Sequence, residues 1–287
     1  MSYVVITPVR NEAEHLARTI ESMTGQTVLP ALWVIVNDGS TDNTKEIAAA
    51  AAAQHPWIRV VHRPDRGFRK PGGGVIGAFY AGLDLCKNLS WDYVVKFDGD
   101  LTFGNNYFER LLAHFSSDPK LGIASGVYWE SPDGFTWSEI EMPAYHAAGA
   151  SKMIRRSCWE QIGGFVTAQG WDTVDEIRAM TRGWRTGHFR ELRMRHWRRE
   201  GTGIGLARTK AMQGEIYYLT GGGGLFFFLK VLHQMKSAPI FVGAIAMFWG
   251  YFRAAVSLRE RLVTEAEAKC YRSLLNGRLF GKLKGIA

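Results

Sequence analysis

Cysteine is scarce in this sequence. The three present, Cys86, Cys158 and Cys270, are an odd number at no short metal-binding spacing. That argues against a disulfide framework and favours a reducing compartment. No basic, apolar leader opens the chain, because Met1 runs almost at once into the apolar stretch 3–6, and no secretory signal is expected. The C-terminal run 237–252 carries no charged side chain but has only 16 residues, short of the ~20 that a membrane-crossing helix needs. Zinc-finger spacing, basic-zipper heptads and RNP-like aromatic signatures are absent, so no nucleic-acid partner is expected.

What is there reads as a folded protein. At 287 residues, 46% apolar and 22% charged, the chain fits one large domain, or one domain plus a substantial tail, and disordered, collagen-like and coiled-coil classes are excluded. Charge is divided unevenly. Residues 1–150 hold 12 Lys and Arg against 17 Asp and Glu, and residues 151–287 hold 23 against 10. The basic half also contains the most apolar stretch. That combination is the usual footprint of an anionic membrane face or an anionic lipid.

The first 130 residues alternate short apolar runs with helical patterns. Strands are expected over 3–7, 32–36, 58–62 and 91–97, and helices over 11–23, 42–53 and 75–87. This alternation predicts an α/β fold with a mostly parallel central sheet covered by helices. Further on, a helix is expected over 106–116, a strand over 122–129, an irregular excursion over 130–148, a short helix over 173–182 and a strand over 189–196. The expected domains are 1–215, built on that sheet, and 216–287, a helical extension. An in-plane or re-entrant membrane contact suits 217–258 better than a span. A buried helix or oligomer interface is the alternative.

Four clusters carry chemistry. The segments ITPVRNE (6–12) and VNDGSTDNT (36–44) each close a strand, and ligands of open parallel sheets sit beyond such ends. Asp38 there could accept hydrogen bonds from a base or a ribose, or serve plain turn chemistry. In FDGD (97–100), Asp98 and Asp100 are two residues apart at a strand end, a spacing that lets both approach one hard divalent cation, although Asp-Gly is also a hairpin-turn signal. The loop GFRKPGGGVIGA (67–78) has a formal G-x-G-x-x-G. It does not follow the first strand, so it reads either as a glycine-rich helix entry where backbone N–H groups, Arg69 and Lys70 face an anion or as an ordinary flexible turn. In GWDTVDE (170–176), Asp172 opens a helix as a cap or as a general base beside Trp171.

Taken together, VITPVRNEAEHLARTIESMTGQT, WVIVNDGSTDNT, the spacing to FDGD, and Gly-Gly-Phe before an acidic helix start resemble the family-2 glycosyltransferases. These have the A-type, or GT-A, nucleotide-diphospho-sugar-transferase fold, and the resemblance covers roughly residues 3–200. It implies that Pro8, Arg10, Glu12 and Asp38 line a nucleoside pocket, with Arg69 or Lys70 near the base or diphosphate. Asp98 and Asp100 match the DxD motif, Asp100 being the direct ligand of Mn²⁺ or Mg²⁺. His196 resembles the histidine that completes such metal sites, and Asp172 falls where the family places its base. Two departures stand out. The usual Asp-Asp-Gly-Ser is Asn37-Asp38-Gly39-Ser40, and the usual Glu-Asp is Trp171-Asp172, which leaves Asp175 and Glu176 as rival bases.

The implied activity is inverting, metal-dependent transfer of a sugar from a nucleotide-diphospho-sugar (UDP- or GDP-linked) to a hydroxyl acceptor. The basic, apolar tail resembles that of bacterial polysaccharide-biosynthesis members. It points to a lipid-linked glycan acceptor and a cytoplasmic chain held peripherally at the inner membrane face. Two alternatives remain: a polyprenyl-phosphate glycosyltransferase, or a non-catalytic nucleotide-sugar-binding scaffold with 217–287 as a homo-oligomer interface.

Overall fold

The strands of the first half form where apolar, partly β-branched runs are bracketed by turn residues. The computed structural model describes residues 1–65, 67, 72–131, 133–198, 205–235 and 241–284. Its strands are β1 (Tyr3–Val9), β2 (Leu32–Asp38), β3 (Ile58–Arg63), β4 (Tyr93–Phe97), β5 (Leu101–Phe103), β6 (Leu121–Glu130), β7 (Ser138–Glu139), β8 (Ser151–Arg155) and β9 (Arg185–His196). Its helices are α1 (Leu16–Thr24), α2 (Thr44–Gln54), α3 (Gly73–Leu83), α4 (Tyr107–Ser117), α5 (Arg156–Ile162), α6 (Trp171–Thr181), α7 (Leu206–Leu219), α8 (Gly224–Gln234), α9 (Val242–Val256) and α10 (Glu265–Lys284). The chain divides into two compact units: Met1–Ala168 with Arg182–Arg199, and Gln169–Thr181 with Glu200–Ala287.

The first unit holds one sheet in the order β3-β2-β1-β4-β8-β6-β9-β5, with β7 beside β6. The β3-β2-β1-β4 part is parallel, and β8 runs antiparallel to β4 and to β6. Alternate residues serve opposite faces. Val5, Trp33 and Ile35 enter the main core with Leu16 and Met23 of α1 and Phe108, Leu111 and Phe115 of α4. Ile6, Val34 and Val36 face Gly82 of α3 instead. With both faces covered, these strands read as unbroken apolar runs.

Two helices start later than their patterns predict. The periodicity from residue 11 becomes helical only at Leu16, because Asn11 is left-handed (φ 55°). Its backbone N–H donates to Ser40 Oγ (3.0 Å) and its Oδ1 accepts from Thr41 N (2.8 Å), so it ties the β1 and β2 ends together rather than opening a helix. The second helix opens at Thr44, whose backbone N–H donates to Asp42 Oδ1 (3.1 Å).

The second unit is helical. Gly214 of α7 and Gly250 of α9 let those two helices approach closely: a Cβ on Gly214 would overlap the Met247 carbonyl oxygen, and one on Gly250 the Ala211 carbonyl oxygen. Glu215 of α7 holds Arg253 (3.1 Å) and Arg259. On α9, Gly243, Ala244, Met247, Gly250 and Ala254 are buried. Ile245, Phe248, Trp249, Phe252 and Val256 of the same helix are exposed. On α8, Leu225, Phe228, Leu229 and Leu232 are exposed too, at helical spacing. Among the described residues, no helix is long and apolar enough to cross a membrane.

Candidate active site

The end of β4 carries a lysine inside an apolar strand. Lys96 is buried, and its Nζ donates to Asp98 Oδ1 (2.5 Å) and to the Gly149 carbonyl (2.9 Å). A buried ammonium is tolerable only when paired in this way. The chain then turns through Asp98-Gly99-Asp100. Gly99 fits because a side chain there would strike Val9 of β1, its Cβ lying 2.6 Å from Val9 Cγ1. Thr19 of α1 brackets the turn: its hydroxyl donates to the Gly99 carbonyl (2.8 Å) and accepts from Leu101 N (3.1 Å).

From that turn β5 pairs antiparallel with the end of β9, Leu101 opposite His196. β9 also pairs with β6, and a register shift moves the partners from Gly126–Phe189 to Val127–Arg193. Past the shift, the last residues of β9 and β6 run side by side. His196 is thereby held between two carboxylates. Its Nε2 lies 3.4 Å from Asp100 Oδ2, and its Nδ1 is 2.8 Å from Glu130 Oε1. One ligand atom from each of Asp98, Asp100 and His196 fits within a sphere of mutual distances under 4.8 Å.

The electrostatics of the cluster are strongly coupled. Burial by itself lowers the His196 pKa, but hydrogen bonds to Asp100 and Glu130 and the charges of Asp100 and Asp98 outweigh it and push it up to about 10. Burial raises Asp100, yet the His196 bond and the charges of His196, Arg198 and His15 hold it below the usual carboxylate range. Asp98 is pushed up by burial despite Lys96. Asp100 Oδ1 is buried with no hydrogen-bond partner among the described residues, and an orphaned carboxylate oxygen is costly unless something binds it. Two carboxylates and an imidazole whose far nitrogen is held by a further acid form a donor set that fits a divalent cation.

The strand ends next to this cluster are joined by ion pairs. Arg10 donates to the Asp38 carbonyl (2.9 Å) and pairs with Asp65 (2.6 Å). Arg63, at the end of β3, holds the buried Asp38 carboxylate (2.7 Å). Gly39 follows with φ 73°, and Asp65 packs so closely against it that a Cβ there would lie 2.5 Å from Asp65 Cα. Glu12 is gripped by Arg198 (2.6 Å), which also donates to the Asn11 carbonyl (2.8 Å). Pro8 lies opposite Val36 between these ends.

The first unit therefore brings together Pro8, Arg10, Glu12, Asp38, Asp98, Asp100 and His196. Arg69 and Lys70 lie outside the described residues. Asp172 belongs to the second unit, half-buried in the first turn of α6, where an acid favours the helix dipole. Its rivals Asp175 and Glu176 are fully buried, and Asp175 Oδ1 accepts from the Glu176 backbone N–H (2.7 Å). Sequence reasoning missed Lys96, Glu130 and Arg198. Lys96 had a signal, a charge inside an otherwise apolar strand. Glu130 had none, because the β6–β9 register decides its role.

A parallel-led α/β sheet with acids beyond the strand ends defines the class, a nucleotide-sugar-transferase fold of the A type. Residues 4–171 match the description "Glycosyl transferase family 2", and the chain belongs to that family. It is 28% identical to a chondroitin synthase of Pasteurella multocida over 55% of this chain and 16% of that one, so it spans about a sixth of that relative. Among solved structures, the mannosyltransferase PcManGT of Pyrobaculum calidifontis, in complex with GDP-Man and Mn²⁺, matches 97% of this chain and 79% of its own, with TM-score 0.54 and 17% identity. GalNAc-T7, solved with UDP, GalNAc and Mn²⁺, matches 91% of this chain and 55% of its own, with TM-score 0.61 and 15% identity. At these identities the structural likeness is one of fold.

Proposed function

We propose that the chain is an inverting, metal-dependent glycosyltransferase that moves a sugar from a nucleotide-diphospho-sugar, UDP- or GDP-linked, to a hydroxyl acceptor. The observation that carries this reading is the Asp98–Asp100–His196 cluster at the strand ends of a family-2 glycosyltransferase. Asp98, Asp100 and His196 would hold Mn²⁺ or Mg²⁺, which supplies charge neutralisation for a departing diphosphate. Lys96 holds the Asp98 carboxyl in place through its Nζ, and Glu130 orients the His196 ring. Pro8, Arg10, Glu12 and Asp38 form the nucleoside side, with Arg69 or Lys70 toward the diphosphate. Asp172 takes the proton of the acceptor hydroxyl. Of the three acids at the start of α6 it is the one not fully buried, which supports it over Asp175 and Glu176.

The acceptor is amphiphilic, a lipid-linked glycan in polysaccharide or glycoconjugate synthesis, with a polyprenyl phosphate as the second reading. The outward apolar faces of α8 and α9, in the basic half of the chain, favour an anionic membrane surface. On this reading the protein sits peripherally at the inner, cytoplasmic face, residues 1–215 carry the donor chemistry and residues 216–287 the membrane contact. A homo-oligomer interface on the same faces is the competing outcome.

The test is a screen of UDP- and GDP-sugars by thermal shift with Mn²⁺ present, repeated on Asp100→Ala. The wild-type protein is expected to be stabilised by one donor class only when Mn²⁺ is added. Asp100→Ala is expected to lose that shift, and transfer to fall about 1,000-fold, the scale for removing one transition-state charge stabiliser. A variant with an unchanged metal-dependent shift would refute the metal assignment.

A further inference from the structure

β9 carries four exposed arginines with two fates. Arg185 is neutralised by Asp118 (2.5 Å) and Arg190 by Glu139 (2.9 Å). Arg193 and Arg195 have no acid partner among the described residues. Their guanidiniums lie over indole rings instead, Arg193 over Trp129 (5.1 Å to the ring centre) and Arg195 over Trp137 (5.2 Å). Residues two apart on a strand share a face, so the two uncompensated charges sit side by side.

They line a cavity of about 470 Å³ together with Thr102, Phe103 and the two tryptophans, a volume within the usual range for small-molecule sites. The cavity lies on the other face of the β5–β9 ribbon from the His196 cluster, because successive residues of a strand face opposite ways. Thr102 pairs with Arg195 and is two residues past Asp100, and Arg195 immediately precedes His196. Trp197 braces the wall. Its indole N–H donates to Thr102 Oγ1 (3.0 Å), and its ring meets that of Trp137 at 5.0 Å and 78°.

We propose that this cavity binds an anionic saccharide, and that Arg193 and Arg195 select for an acid group on the sugar. The assignment rests on the reading of the chain as a glycosyltransferase. A guanidinium stacked on an indole keeps its N–H fork directed outward with little entropy left to lose, and that fork matches a carboxylate or phosphate in two parallel bonds. The aromatic walls suit the C–H faces of a pyranose. A neutral glycan would leave both charges uncompensated. The shared ligand chemistry is a sugar bearing a carboxylate or a phosphate.

The experiment titrates the full chain, without metal or nucleotide, with hexagalacturonate, with mannose 6-phosphate and with neutral cellohexaose, following tryptophan fluorescence and binding heat. At least one anionic ligand is expected to bind at least tenfold more tightly than cellohexaose. Raising the salt concentration, and the double variant Arg193→Gln/Arg195→Gln, are each expected to erase the difference. Tight hexagalacturonate binding would assign a uronic-acid source, and tight mannose 6-phosphate binding a phosphorylated one. Equal binding of all three ligands would overturn the proposal, as would a double variant that keeps the preference. The manganese-dependent donor screen is a separate measurement. Anionic-sugar binding with no donor shift would sink the transferase reading and leave the cavity, and a donor shift without anionic-sugar preference would do the reverse.

Discussion

The two units use their side chains in opposite ways. The first packs most of its large apolar residues into a core and buries a polar network, in which Lys96, Asp100, Glu130 and His196 all lie out of solvent. The second turns small residues inward on α9 and sets Ile245, Phe248, Trp249, Phe252 and Val256 outward. Buried charge costs free energy unless it is paired, so the first unit is organised around holding charge in place. Contiguous exposed apolar surface marks a contact with something else, so the second is organised around an outer face. The catalytic and membrane roles proposed above can therefore be tested separately in this chain.

The largest expected effect asks whether that division is complete. If Asp172 is the base, the second unit supplies chemistry as well as surface. Asp172→Asn should then keep donor binding and lose about 1,000-fold in transfer, within the range for removing a general base. Donor affinity and single-turnover transfer, measured side by side, check it. Loss of transfer in Asp175→Asn or Glu176→Gln instead would reassign the base, and no loss in any of the three would restore the clean division.

Next in size is the packing that sets the outer face. Gly250 meets the Ala211 carbonyl with no room for a Cβ. Gly250→Val should destabilise the second unit by about 3 kcal/mol, the upper part of the overpacking range. Thermal melting checks it, and an unchanged melt would mean α7 and α9 cross less closely than the structure has them.

The membrane reading predicts a smaller effect with no cost to the fold. Trp249 and Phe252 are about half exposed, at 58% and 45%. Replacing both by Ser should weaken sedimentation with anionic vesicles roughly 30-fold, about 2 kcal/mol of apolar burial. The melting temperature should hold. A shift in oligomeric state without any change in vesicle binding would assign the face to a second copy of the chain.

How much of this was legible in the sequence follows the same division. The parallel strands were readable because each is an apolar run with turn residues after it, and the acids at their ends were readable as DGD and NDGS. β5 escaped because three residues carry no period. β8 escaped because SKMIR puts a lysine and an arginine into a strand whose Lys152 is nevertheless fully buried. Arg198 escaped because its partner Glu12 is 186 residues away. Local pattern finds the elements and the motif acids. The residues that hold those acids in position are set by register and by long-range pairing.

The smallest effect tests whether the first unit's turn is held from outside its own strand. Thr19 is fully buried, and its hydroxyl makes two bonds across the turn, to the Gly99 carbonyl and from Leu101 N. Thr19→Val keeps the shape and removes both, for a net loss of about 1 kcal/mol of stability. Thr19→Ser restores both bonds and should recover most of it. If the turn is held by Thr19, the Val variant should also bind Mn²⁺ several-fold more weakly while the Ser variant binds it normally, which titration calorimetry can read. Equal Mn²⁺ affinity in the two variants would mean that Lys96 and the β5–β9 pairing fix the acids by themselves. The charge-holding architecture would then lie entirely within the sheet.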